Sequence, residues 1–142
     1  VTFPSNLLSL TFEGKFNDFN QSLRGETLPS TLQSLRLGRL FNESLEQVTL
    51  PSRLQSLTFG DGFNQSLQRV TWPSSLQSLK FGAAYGRSLS HFANGLTNLE
   101  FGESFNQHLD RELQSLSCRS RLVIICRMWT LFSQLTDSHD LQ

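Results

Sequence analysis

Residues 54–60, Leu-Gln-Ser-Leu-Thr-Phe-Gly, place apolar Leu57 and Phe59 in alternation with polar Ser56 and Thr58. A period of two predicts a short strand with one buried face, and Gly60 ends it. The phrase returns along the chain. Leu10, Leu35, Leu57, Leu79 and Leu99 are spaced by 25, 22, 22 and 20 residues, and Pro4, Pro29, Pro51 and Pro73 by 25, 22 and 22. Residues 28–49 and 50–71 agree at 14 of 22 positions, so each residue is best read by its place in a repeated unit.

A Pro at the head of the unit and a Gly after the strand leave no room for a long helix, because Pro removes a backbone donor and clashes with the preceding turn. Helical-hairpin repeats need roughly 33 residues and a propeller blade roughly 40, so a unit of 22 is too short for either. One strand per unit, always running the same way, predicts a parallel solenoid. Its inward columns are Leu28, Leu50, Trp72 and Phe92, then Leu32, Leu54, Leu76 and Leu96, then Leu35, Leu57, Leu79 and Leu99. The strand end adds Leu37, Phe59, Phe81 and Phe101. The return path adds Phe41, Phe63, Tyr85 and Phe105, followed by Leu45, Leu67, Leu89 and Leu109. A single coil cannot bury such a face, which is why the units come in a row. Trp72 stands where the preceding units carry Leu and is read as filling a wider coil.

Asn20, Asn42, Asn64 and Asn106 form a further column. A stacked carboxamide can supply hydrogen-bond partners to backbone at a turn, so these residues are read as a structural ladder. Gly86 interrupts it, which predicts the least regular coil around Tyr85-Gly86-Arg87. The first unit is three residues longer than the next, around Glu13 to Asp18, and the fifth is two shorter; such changes belong in loops. The chain opens in phase with its own repeat, as a segment of a longer array would. Residues 1–117 thus form the array, about five to six coils, and residues 118–142 are a non-repeat tail. The tail is too apolar for a free linker. It predicts a cap, built as a helix around residues 127–135 or as a final strand over 122–126; the rival reading is non-native sequence from a shifted reading frame.

Through Leu-x-x-Leu-x-Phe in each unit the chain resembles leucine-rich repeat proteins, and through LPSRLQSLTFGDGFNQSL it resembles their FNIP-repeat branch more closely. The resemblance covers roughly residues 1–117. It implies a mainly β fold: a right-handed parallel solenoid of about 22-residue leucine-rich-repeat-like coils, curved, with one parallel sheet on the concave face. It also implies a role in binding other proteins, beside other domains in longer chains. Where the family name spells Phe-Asn-Ile-Pro, this chain has Phe-Asn-Gln-Ser or Phe-Asn-Glu-Ser, so the turn after Asn lacks the proline. The units are too short and Pro-rich for a regular helix on the return path. Extended or irregular backbone is expected there, with room for a second short strand near Gln47-Val48-Thr49-Leu50 and Arg69-Val70-Thr71-Trp72.

Function must then lie on the surface. Alternation turns Ser34, Ser56, Ser78 and Asn98 outward in one column, and Arg36, Thr58, Lys80 and Glu100 in the next. The second column varies in charge on an invariant scaffold, which is what a recognition face shows, and these eight residues are the candidate partner-binding set. The rim loops that follow the strands also vary, at Arg39, Leu40, Asp61, Gly62, Ala83, Ala84, Glu103 and Ser104. A solvated sheet face whose charges prevent aggregation is the plainer reading of the same columns. Two functional classes follow: a protein-binding repeat module, or a structural or surface-array segment without a single defined partner.

Composition adds exclusions. Twelve Lys and Arg balance twelve Asp and Glu, leaving no global field to draw the chain to nucleic acid or an anionic membrane. The longest apolar run, Leu122 to Cys126, is far short of the roughly 20 residues of a membrane span. His91, His108 and His139 stand in unrelated contexts with no nucleophile at a recognisable spacing, so no catalytic residue and no enzyme activity is predicted. Cys118 and Cys126 form no Cys-x-x-Cys pair, and neither metal nor cofactor is expected.

Overall fold

The computed structural model describes residues 2–13, 18–87, 95–103, 105 and 123–126. Among them are six strands: β1 (Ser9–Thr11), β2 (Ser34–Arg36), β3 (Ser56–Thr58), β4 (Ser78–Lys80), β5 (Asn98–Phe101) and β6 (Val123–Cys126). All lie in one sheet in chain order, each parallel to the next, with no helix among the described residues. The expected parallel solenoid is therefore the fold. The register is that of the repeat: Leu10 pairs with Leu35, Leu35 with Leu57, Leu57 with Leu79, and Leu79 with Leu99.

The inward columns fill the coil. Leu32, Leu35, Leu54, Leu57, Leu76, Leu79, Phe41, Phe63 and Tyr85 have no exposed surface, and Leu37, Phe59, Phe81, Phe101 and Phe105 are buried with them. Aromatic rings form two neighbouring columns. Along the return path Phe19, Phe41, Phe63, Tyr85 and Phe105 stack with centroids 6.0 to 6.4 Å apart. Within a coil the rings approach more closely, at 4.0 Å for Phe59 and Phe63, 4.0 Å for Phe81 and Tyr85, and 3.8 Å for Phe101 and Phe105. Aromatic pairs at the spacing of the return-path column add about 0.5–1.5 kcal/mol each beyond the area they bury. Trp72 is half-buried against this core. Phe92, Leu89 and Leu109 lie outside the described residues.

Glycine sets the closeness of the coils. A Cβ on Gly60 would lie 2.2 Å from the carbonyl oxygen of Gly38, and one on Gly82 would lie 2.4 Å from that of Gly60. Gly102 repeats the relation at 2.2 Å from Gly82. At residues 60, 82 and 102 the position after the strand is thus glycine because the neighbouring coil occupies the place of a side chain.

On the return path no second strand forms near Val48 or Val70 among the described residues. Val48 N–H donates to Leu45 and Val70 N–H to Leu67, so these amides close turns rather than a ladder, while both side chains are buried. The turn that lacks the family proline is made by serine. The Ser22, Ser44 and Ser66 hydroxyls accept from the N–H two residues on, at 3.2, 3.2 and 3.4 Å.

In the tail, β6 adds to the sheet in parallel, Asn98 opposite Val123 and Leu99 opposite Ile124. Ile124 packs on the core, whereas Val123 and Ile125 are about half exposed on the outer face. Of the two forms of cap considered, the strand over 122–126 agrees with β6; residues 127–135 lie outside the described residues.

Candidate protein-binding site

The outward side chains of the sheet come to the surface in two rows. Ser34, Ser56 and Ser78 are half-buried and Asn98 is exposed, forming the row at the strand starts. Arg36, Thr58, Lys80 and Glu100 follow it, aligned across β2 to β5 by the register Arg36–Thr58–Lys80–Glu100. The second row borders a groove of about 700 Å³. Its opposite wall is the rim, Arg39, Asp61, Ala83 and Glu103, and its floor is the chain from each strand end to the following Gly60, Gly82 or Gly102. Sequence reading found both walls but treated them as two separate places. The serine row does not line the groove, so the structure separates it from the charged row.

Glu13 also lines the groove and was not among the candidates. It follows Phe12 at the place where later coils carry Gly38, Gly60, Gly82 and Gly102, and that substitution was visible in the sequence. Its carboxylate pairs with Arg36 at 3.3 Å. Lys80 pairs with Glu100 at 3.1 Å and Arg39 with Asp18 at 3.7 Å. Arg36 and Glu13 are each about 60% exposed, at 59% and 60%, so solvent screens the pair and it contributes little to stability.

Behind the groove, carboxamides join the coils. Asn42 N–H donates to Asn20 Oδ1 at 2.8 Å, Asn64 N–H to Asn42 Oδ1 at 2.8 Å, and Gly86 N–H to Asn64 Oδ1 at 3.2 Å. Gly86 donates this bond but, having no side chain, offers no carboxamide oxygen to the next coil. Asn106 lies outside the described residues. On the rim, Asp61 Oδ1 accepts from Ala83 N–H at 3.2 Å. Thr31, Ser75 and Thr97 hydroxyls donate to carbonyls of the preceding coil, at Ser5 and Leu7, Leu54 and Gln77 respectively.

Tyr85 is the anomaly of the core. Its hydroxyl is fully buried with no hydrogen-bond partner among the described residues. Burial pushes its pKa far above the ordinary value, against a smaller downward pull from Arg87.

Among the described residues no group of three His, Cys, Asp or Glu side chains could hold a metal ion, and no helix is long and apolar enough to cross a membrane. His91, His108, His139 and Cys118 lie outside the described residues, and of Cys126 only the backbone is described.

The profile of the FNIP repeat matches residues 1–40, 19–62 and 41–84, more than half of the chain. The chain belongs to the FNIP-repeat family. FNIP coils here build a leucine-rich-repeat-like solenoid, and a solved structure agrees. A crystal structure of CroV588, described as a novel circular leucine-rich repeat protein, is 30% identical in sequence with a TM-score of 0.53. The match covers 75% of this chain and 19% of that one, so the chain spans about a fifth of the length of its structural neighbour. No match is found among the curated proteins. Solenoids of this type commonly mediate protein interaction and are typically non-catalytic scaffolds.

Proposed function

We propose that this FNIP array is a non-catalytic protein-binding module that presents its outward sheet face to a protein partner. The observation that carries the reading is the groove: its scaffold positions repeat from coil to coil, while the side chains on its two walls change from coil to coil. At a wall position Arg36, Thr58, Lys80 and Glu100 succeed one another, although Leu35, Leu57, Leu79 and Leu99 beside them do not vary. A surface whose only duty is solubility has no reason to gather its varied residues around one concavity.

The test replaces Arg36, Lys80 and Glu100 together by Ser. Binders are first selected from a displayed library of random peptides against the wild-type chain, then measured against the triple variant. A binding module keeps its unfolding midpoint and loses those binders. Undiminished binding to a folded triple variant would falsify the assignment and favour a structural array segment.

A further inference from the structure

The two walls of the groove carry matched charges at its two ends. Beside β2 stand two cations, Arg36 on the sheet wall and Arg39 on the rim; beside β5 stand two anions, Glu100 and Glu103. Between them the lining carries Thr58 and Asp61 in one coil and Lys80 and Ala83 in the next. At the cationic end Arg36 pairs with Glu13 and Arg39 with Asp18, and at the anionic end Glu100 pairs with Lys80. The two arginine pairs are well exposed, so an incoming carboxylate can replace a counter-ion there at little desolvation cost, whereas Glu100 is only 24% exposed and holds Lys80 in a drier setting where a charge counts for more.

Width limits what can enter. Thr58 and Asp61 are three residues apart, so their Cα atoms are at most about 10 Å from each other. An α-helix with its side chains is about 10–12 Å across and would ride on the walls, whereas a single extended chain fits between them. Glycines at residues 60, 82 and 102 keep the floor clear of side chains. Strands in a sheet are about 4.8 Å apart, so β2 and β5 are separated by about 14 Å, the reach of about four extended residues.

Resting on the binding-module reading, we infer that the groove takes an extended peptide segment lying across the strands, with an acidic side chain at the β2 end and a basic side chain about four residues away at the β5 end. The two arginines grip the carboxylate from both walls, and the two glutamates receive the cation. Thr58 and Asp61 meet the uncharged middle of the segment.

Three blocked, dye-labelled peptides of about nine residues test this, with one uncharged background and two charged positions about four residues apart. They carry Glu and Arg, Glu and Glu, or Arg and Arg, and binding is read by fluorescence anisotropy at low salt. The mixed peptide binds at least about tenfold tighter than either uniform one. In the Arg36→Glu/Arg39→Glu variant, preference passes to the Arg and Arg peptide by a similar factor. Should that variant not fold, the wild-type comparison decides alone. Equal binding of the three peptides, or binding of none, overturns the inference. If groove-dependent library binders persist in that case, the module reading stands and only its charge assignment falls; if they too ignore the groove, both fall.

Discussion

Asn64 acts twice in the structure, accepting from Gly86 N–H through its carboxamide and from the Arg87 guanidinium through its carbonyl. Its own N–H donates to Asn42. Asn64→Ala leaves the Gly86 amide without its acceptor and should cost about 1–2 kcal/mol in urea unfolding, while Asn64→Asp, which keeps an acceptor oxygen, should cost less. Tyr85 works in the opposite direction, because its phenol is buried with no partner among the described residues. Tyr85→Phe is predicted to stabilise the chain by about 1 kcal/mol. The same residue makes stability depend on alkaline pH. Its pKa is raised in the folded chain, so stability is intact below the unfolded phenol's value of about 10 and falls above it, by at most about 1.4 kcal/mol per pH unit. Tyr85 is the sole tyrosine, so its ionisation can be followed directly, and Tyr85→Phe should remove this part of the alkaline loss. The Asn column was legible in the sequence because it recurs in register. The orphaned hydroxyl was not, because a Tyr in a Phe column is apolar in pattern, and only packing shows whether its oxygen has a partner.

At the level of one coil, the strand and the turns divide the work. The strand is three or four residues long, its ladder is continued at both ends by backbone bonds such as Gln55 N–H to Gln33 and Leu37 N–H to Thr58, and the stacked aromatic and leucine columns fill the coil beneath it. Glycine at the strand end is fixed by the coil beside it. Gly82→Ala places a methyl group 2.4 Å from the Gly60 carbonyl oxygen, and the backbone must shift at a cost of about 1–3 kcal/mol, measurable by thermal or urea unfolding. Gly62→Ala meets its nearest atom at 3.0 Å and should cost less. The sequence announced that Gly ends the strand but not why, since the clash involves a coil 22 residues away. It likewise suggested a second strand at Val48 and Val70, because buried β-branched residues favour one. Backbone amides already committed to Leu45 and Leu67 override that local preference.

The whole molecule is a one-dimensional stack, and its stability should behave as a sum over coils and their interfaces. Deleting residues 50–71 removes one full repeat and should leave a folded, shorter array. Deleting 21 residues from the same place leaves one residue over, which a loop can absorb as loops absorb the 25- and 20-residue spacings of Leu10–Leu35 and Leu79–Leu99, so unfolding should stay cooperative with a lowered midpoint, as seen by circular dichroism on heating. This architecture was legible because the repeat states it many times. The groove was legible only in part: alternation named Arg36, Thr58, Lys80 and Glu100, and variation named the rim. Their meeting around one concavity depends on how the chain turns at Gly60 and Gly82, which no local pattern encodes. The central claim is that the varied letters bind and the repeated letters hold. Amide chemical-shift mapping with a library-selected binder tests it most directly. The account predicts that the perturbed amides cluster at residues 36–39, 58–61, 80–83 and 100–103, along the groove. Perturbations centred instead on the return path, residues 42–48 and 64–70, would contradict it.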